Sequence, residues 1–179
     1  MALSATIFKA ELNIANMDLH YYQTHNLVLA QHPSETDERL MVRLLAFALN
    51  ASDELRFTKG LSTDDEPELW QKSLSDEINL WVELGQPDEK RIRKACGRAK
   101  QVIIYCYGGR STDIWWQQIS SNLRRFNNLQ VVNLPKDGCE NIANMAQRTM
   151  QLNISMQDAE VTVSDNTQSI NLTPEALLP

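Results

Sequence analysis

The stretch INLWVELGQPDEKRIRKACGRAKQVIIYC, residues 78–106, decides the fold. Ile78, Leu80, Val82 and Leu84 alternate with Asn79, Trp81 and Glu83, a period-two pattern that predicts a strand with one face for each set. Gly85-Gln86-Pro87 stops that strand, and Pro87-Asp88-Glu89 opens a helix with proline early and acids in its first turn. Ile92, Ala95, Cys96 and Ala99 give the helix its buried stripe. Val102-Ile103-Ile104-Tyr105-Cys106 is an unbroken apolar run, read as a central strand covered on both faces and ended by Gly108-Gly109.

Working outward, a second helix carries Trp115, Trp116, Ile119, Leu123 and Phe126, followed by a strand over 129–134 and a shorter helix around 142–150. Alternation through Leu152, Ile154 and Met156, then Val161 and Val163, then Ile170 and Leu172 predicts an antiparallel meander. Upstream, the first 31 residues read as a hairpin turning at Asn16-Met17-Asp18. Ser34 is the expected N-cap of a helix running to about Asn50, with Leu40, Met41, Leu44, Leu45 and Ala48 on one face. Residues 55–58 suggest a short strand and 68–74 a helical turn carrying Trp70. The expected fold class is α/β (α+β): a mixed β-sheet flanked by helices, in a single domain spanning 1–179.

A chain of 179 residues with 42% hydrophobic content can bury about 70% of its unfolded surface, so it needs no disulfide or metal staple. Net charge −6 excludes a protein that coats nucleic acid by bulk charge, and any such contact would use a local basic patch. Cys96, Cys106 and Cys139 form neither a disulfide framework nor a zinc knuckle. The histidines His20, His25 and His32 lack metal-pair or nucleophile spacing. No signal peptide or bilayer-spanning run is visible, and a cytoplasmic location without membrane contact is expected.

Chemistry concentrates between Asp64 and Lys100. Glu83 is a carboxylate on an apolar strand, so it needs a pairing base, a metal or the surface. Its structural role would be a salt bridge to the next helix. Asp64, Asp65 and Glu66 cluster before Pro67 and could supply oxygen ligands to a hard cation. The helix after Glu83 carries Lys90, Arg91, Arg93, Lys94, Arg98 and Lys100, a local reversal of sign. Lys90 and Arg91 stand near its positive dipole end, where an anionic neighbour is wanted.

Four blocks, His32-Pro33-Ser34-Glu35-Thr36, Asp64-Asp65-Glu66-Pro67-Glu68-Leu69-Trp70, the run from Leu80 to Cys96, and Ile114-Trp115-Trp116, resemble the YaeQ family of bacterial proteins, over essentially the whole chain. The resemblance implies a variant of the PD-(D/E)XK nuclease-like fold and an unsettled activity. In that superfamily an Asp and a downstream acid hold a metal, and a lysine two positions after the second acid assists. The implied metal ligands here are Asp65 and Glu83, with Mg²⁺ or Mn²⁺ as the cofactor. Gly85 stands where the lysine is expected, so Lys90 is the candidate replacement and Lys94 the second choice. Glu35 or Glu38 is the candidate additional acid, and Lys94 and Arg98 are candidate phosphate contacts. The leading expectation is a metal-dependent nuclease or phosphodiesterase with Glu83 and Lys90 in catalysis. The alternative is a non-catalytic module that keeps the fold and binds nucleic acid or protein.

Overall fold

The computed structural model of the protein describes residues 4–59 and 65–179. The chain divides into two compact units, Met1–Ala48 with Asp137–Pro174 and Leu49–Lys136 with Glu175–Pro179. Each is built on its own mixed sheet, two sheets where the sequence pattern suggested one.

In the first unit β1 (Thr6–Asn16) and β2 (Tyr21–Gln31) form the expected hairpin, in unbroken antiparallel register from Thr6↔Gln31 to Asn16↔Tyr21. A turn at 16–18 would leave His20 on the second strand; it instead sits in the turn with φ 54. The chain returns as β8 (Thr149–Gln157), which pairs in parallel with β1, and continues antiparallel through β9 (Glu160–Ser164) and β10 (Ser169–Leu172). The meander is therefore real, but its first strand also joins the hairpin. That closure completes the first sheet, in the order β10-β9-β8-β1-β2. Alternation buries Phe8, Ala10, Leu12 and Ile14 of β1 on the same face as Leu152, Ile154 and Met156 of β8.

Helix α1 (Asp37–Leu49) starts later than Ser34 suggested. His32 closes the preceding turn, its carbonyl accepting the Glu35 amide at 2.8 Å and its Nδ1 the Ser34 amide at 3.1 Å, and Thr36 Oγ1 accepts the Arg39 amide at 3.1 Å in the capping role. Every residue from Leu40 to Ala48 is buried, Arg43 among them, so the expected apolar stripe extends around the helix. Helix α4 (Lys136–Ala143) lies upstream of its predicted place because residues 149–150 already belong to β8.

The second unit contains β3 (Leu55–Phe57), β4 (Leu69–Lys72), β5 (Ile78–Leu84), β6 (Ala99–Cys106), β7 (Leu129–Asn133) and β11 (Glu175–Leu178), in the order β11-β7-β6-β5-β4-β3. The three middle strands β5, β6 and β7 are parallel, as expected from the helices α2 (Glu89–Arg98) and α3 (Arg110–Leu123) between them. Residues 69–72 form a strand and not the helical turn read there, because pairing with both β3 and β5 outweighs local preference. Strand β11 leaves the meander and pairs with β7. Trp81, Val102, Ile104 and Val131 of the sheet cluster with Ile92 and Ala95 of α2 and with Ile119 and Leu123 of α3. A large apolar side chain buried in such a cluster contributes about 1.5–3 kcal/mol.

Candidate functional site

Strand alternation places Trp81 and Glu83 on one face of β5, and the parallel crossover to β6 brings the first turn of α2 beside them. Glu83 is 3% exposed, so its charge must find donors within the protein. Trp81 Nε1 donates to Glu83 Oε1 at 2.7 Å, and Arg91 Nε donates to Oε1 and Oε2, at 3.0 Å each. Arg91 Nη2 donates to the Glu66 carbonyl at 2.7 Å, so one guanidinium ties β5 to the segment before β4. Asp88 caps α2, its Oδ1 accepting the Arg91 amide at 2.8 Å. The positive end of the helix thus has two anionic neighbours, Asp88 and Glu83.

A second buried acid stands next to the first. Leu69 pairs with Val82 and the Glu68 amide donates to the Val82 carbonyl at 3.0 Å, which sets Glu68 alongside Glu83; Glu68 is 5% exposed. Burial pushes the Glu83 carboxyl above its ordinary range, Arg91 and Trp81 pull it back, and the Glu68 charge adds to the rise.

Asp65 is exposed and its carboxylate pairs with Lys94 Nζ, which holds the Asp65 carboxyl below its ordinary value. Arg98 Nη1 donates to the Asp65 carbonyl at 2.6 Å, and its guanidinium lies 5.1 Å from the Trp81 ring centroid. Arg91, Lys94 and Arg98, spaced i, i+3 and i+7, present one helical face that grips residues 65 and 66. Lys90 is exposed and its side chain makes no hydrogen bond or ion pair among the described residues. Asp64 lies outside the described residues. Both candidate additional acids lie in the first unit, Glu38 in the first turn of α1 and Glu35 in the turn before it, not on the helix where it was expected. Both Glu35 oxygens are engaged, Oε2 by Arg39 at 2.8 Å and Oε1 by Arg43 at 2.6 Å.

As placed, neither Asp65 nor Glu83 is free for a metal ion, each carboxylate being paired with a base. Arg91 already contacts both Glu83 oxygens, and among the described residues no three Asp, Glu, His or Cys side chains converge to hold a cation. Position 85 does not suit the superfamily lysine either, since Gly85 adopts φ 87 while its amide donates to the Tyr105 carbonyl at 2.9 Å.

A family model described as YaeQ protein matches residues 1–174. The chain belongs to the YaeQ family. It is 46% identical over 175 residues to the uncharacterized protein YaeQ of Escherichia coli K12, covering 97% of each chain, and equally identical over the same length to that of Salmonella typhi. The crystal structure of the Xanthomonas axonopodis pv. citri YaeQ protein superposes with a TM-score of 0.95 at 48% identity, covering 97% of this chain and 98% of that one. The Pseudomonas syringae YaeQ structure gives 0.94 at 32% identity, covering 98% and 97%. The mixed α+β architecture is thus that of the YaeQ family. No helix among the described residues is long and apolar enough to cross a membrane.

In this YaeQ-family chain the salt bridge expected between Glu83 and the next helix is present, with Arg91 as the partner. Sequence pattern alone does not point to Glu68, because residues 68–74 read in isolation as a helical turn. The usable signal was the short apolar-polar segment Leu69–Lys72 before another strand: antiparallel pairing of 69 with 82 aligns position 68 with 83.

Proposed function

We propose that this chain is a non-catalytic nucleic-acid-binding module on a nuclease-like scaffold, with α2 as the contacting element. The Arg91 clamp on Glu83 carries this reading. A carboxylate that accepts three hydrogen bonds and faces a guanidinium is poorly available to a cation, and removing Arg91 would leave a buried charge at a cost of several kcal/mol. The outward face of the same helix and its exit is basic, with Lys90, Arg93, Lys94, Arg98 and Lys100 all exposed. Exposed ion pairs such as Lys94–Asp65 are weak in water, so these cations exchange readily onto phosphates. Nearby, the half-buried Trp70 meets Trp81 edge-on at 6.3 Å. It offers an aromatic neighbour to a strand bound along the helix.

The test is fluorescence anisotropy with single- and double-stranded oligonucleotides across a salt series, paired with a cleavage assay in Mg²⁺ and Mn²⁺. Binding that weakens steeply with salt, falls on neutralising Lys94 and Arg98, and proceeds without cleavage is expected. Cleavage that disappears in Glu83→Ala contradicts the proposal.

A second reading is the divalent-metal-dependent phosphodiesterase, with Asp65 and Glu83 holding Mg²⁺ or Mn²⁺ and Lys90 beside them. One observation favours it: Arg91 spans the Glu83 carboxylate and the Glu66 carbonyl, with Glu68 adjacent, so several oxygens lie around one guanidinium. It requires Arg91 to release Glu83. Calorimetric titration with Mn²⁺ separates the two readings, because only the second gives a binding heat that Glu83→Gln abolishes.

A further inference from the structure

Strand β2 ends its sheet, beyond β1 in the order β8-β1-β2. The Lys9 amide donates to the Arg148 carbonyl on the β8 side, so odd residues of β1 bond toward β8 and even residues toward β2. The register Phe8↔Leu29, Ala10↔Leu27, Leu12↔His25 then engages the odd residues of β2. The backbone groups of Tyr22, Thr24, Asn26, Val28 and Ala30 point away from the sheet. Arg43 Nη2 donates to the Ala30 carbonyl at 2.9 Å. Among the described residues no hydrogen bond reaches the backbone of the other four from outside the hairpin.

Edges of this length are normally guarded by lysine, proline, inward charges or a bulge. Strand β2, YYQTHNLVLAQ, has no Lys, Arg, Asp, Glu or Pro, and its register with β1 is unbroken. Its outer surface carries two well-exposed apolar side chains, Tyr22 at 59% and Val28 at 64%.

We propose that two copies of this chain pair antiparallel through their β2 edges, with His25 facing His25 on the two-fold axis. This register sets Thr24 of one copy opposite Asn26 of the other and Tyr22 opposite Val28. Each facing pair exchanges two backbone hydrogen bonds. The register uses the four outward residues and leaves out Ala30, whose carbonyl Arg43 already holds. It also brings the exposed Tyr22 and Val28 side chains together twice, a favourable cross-strand combination of aromatic with β-branched. Centring the pair on Asn26 instead would place Tyr22 against Ala30 and forfeit both advantages. A second copy is the occupant because the edge complements itself: free groups match free groups, apolar meets apolar, and the strand carries no Lys, Arg, Asp or Glu to oppose its like. The seam is small beside the ~1,600 Å² of a standard interface, so a micromolar dissociation constant is expected.

Sedimentation velocity from about 1 to about 500 µM should show a monomer–dimer equilibrium. Hydrogen exchange should slow at the amides of Tyr22, Thr24, Asn26 and Val28 as the dimer fills, while Gln23, His25 and Leu27 stay unchanged. Asn26→Pro removes an outward donor without touching the β1 ladder and should leave a monomer with an unaltered circular dichroism spectrum. Val28→Glu, which stands across from Lys9 and is therefore tolerated by the fold, should weaken the dimer at least about tenfold and decides the matter if the proline variant misfolds. A wild-type monomer throughout, which would leave the edge to a foreign strand, overturns the proposal. So does a dimer that survives both substitutions or protects other amides.

Discussion

Arg91 Nε stands 3.0 Å from each carboxylate oxygen of Glu83, joining the middle of a sheet to the first turn of the helix that crosses over it. The contact satisfies a buried charge and anchors the start of α2. In the structure Glu83, which the family resemblance implies as a metal ligand, is the counter-ion of an arginine. Breaking a buried pair from one side leaves its partner uncompensated. Arg91→Met should destabilise the protein by about 3 kcal/mol in urea unfolding, and adding Glu83→Leu should recover much of that loss. A loss below about 0.5 kcal/mol for the single variant would mean that water reaches Glu83 freely.

Stability should respond to pH through Glu83. Burial raises its carboxyl above the ordinary 4.5, so the fold favours the protonated form relative to the unfolded chain. Its contribution is full below 4.5 and is lost as the pH rises through the raised value. Asp65 has the opposite sign: Lys94 lowers it from 3.8, and its contribution is lost as the pH falls below that value. Unfolding of wild type and Glu83→Gln from about pH 4 to pH 7 should show the difference moving in favour of glutamine as pH rises. A difference independent of pH contradicts this assignment.

Restoring a lysine at position 85 should not create a nuclease. Gly85 holds φ 87, which an L-residue rarely adopts, although open space surrounds the added Cβ. The cost is then one of backbone conformation, about 1–2 kcal/mol for Gly85→Lys. Thermal unfolding and a cleavage assay in Mn²⁺ check both parts.

The exposed cations of α2 should reveal themselves in salt dependence. Where Lys90 or Arg93 contacts a phosphate, its alanine variant should reduce the slope of log affinity against log salt by about one and weaken all sequences alike. An unchanged slope in both moves the contact surface off the start of α2.

The three thiols should be inert in the folded protein. Burial pushes Cys96 up to about 11 and Cys106 and Cys139 up to about 12, leaving negligible thiolate at neutral pH. Maleimide labelling should be slow until denaturant is added, when all three should react; rapid native labelling of one thiol would show that its surroundings open.

Much of the fold was legible in periodicity. The period-two run at 78–84, the helix opened by Pro87-Asp88-Glu89 and the apolar block at 102–106 are local patterns, and the structure places β5, α2 and β6 on them. The hairpin from Thr6 to Gln31 was legible for the same reason. Segment 68–74 reads in isolation as a helical turn because its four strand residues, 69–72, carry too little pattern to show themselves, and only pairing with β3 and β5 makes them a strand.

The sequence by itself determined the α/β class, the strand–helix–strand centre, the family resemblance and the presence of an acid facing a basic helix. Tertiary structure alone decided that β8 joins β1 and splits the strands into two sheets, because pairing between distant segments leaves no local signature. It alone decided which base meets Glu83. Lys90, Arg91 and Lys94 are near in sequence, but helix phase and the reach of a planar guanidinium select Arg91.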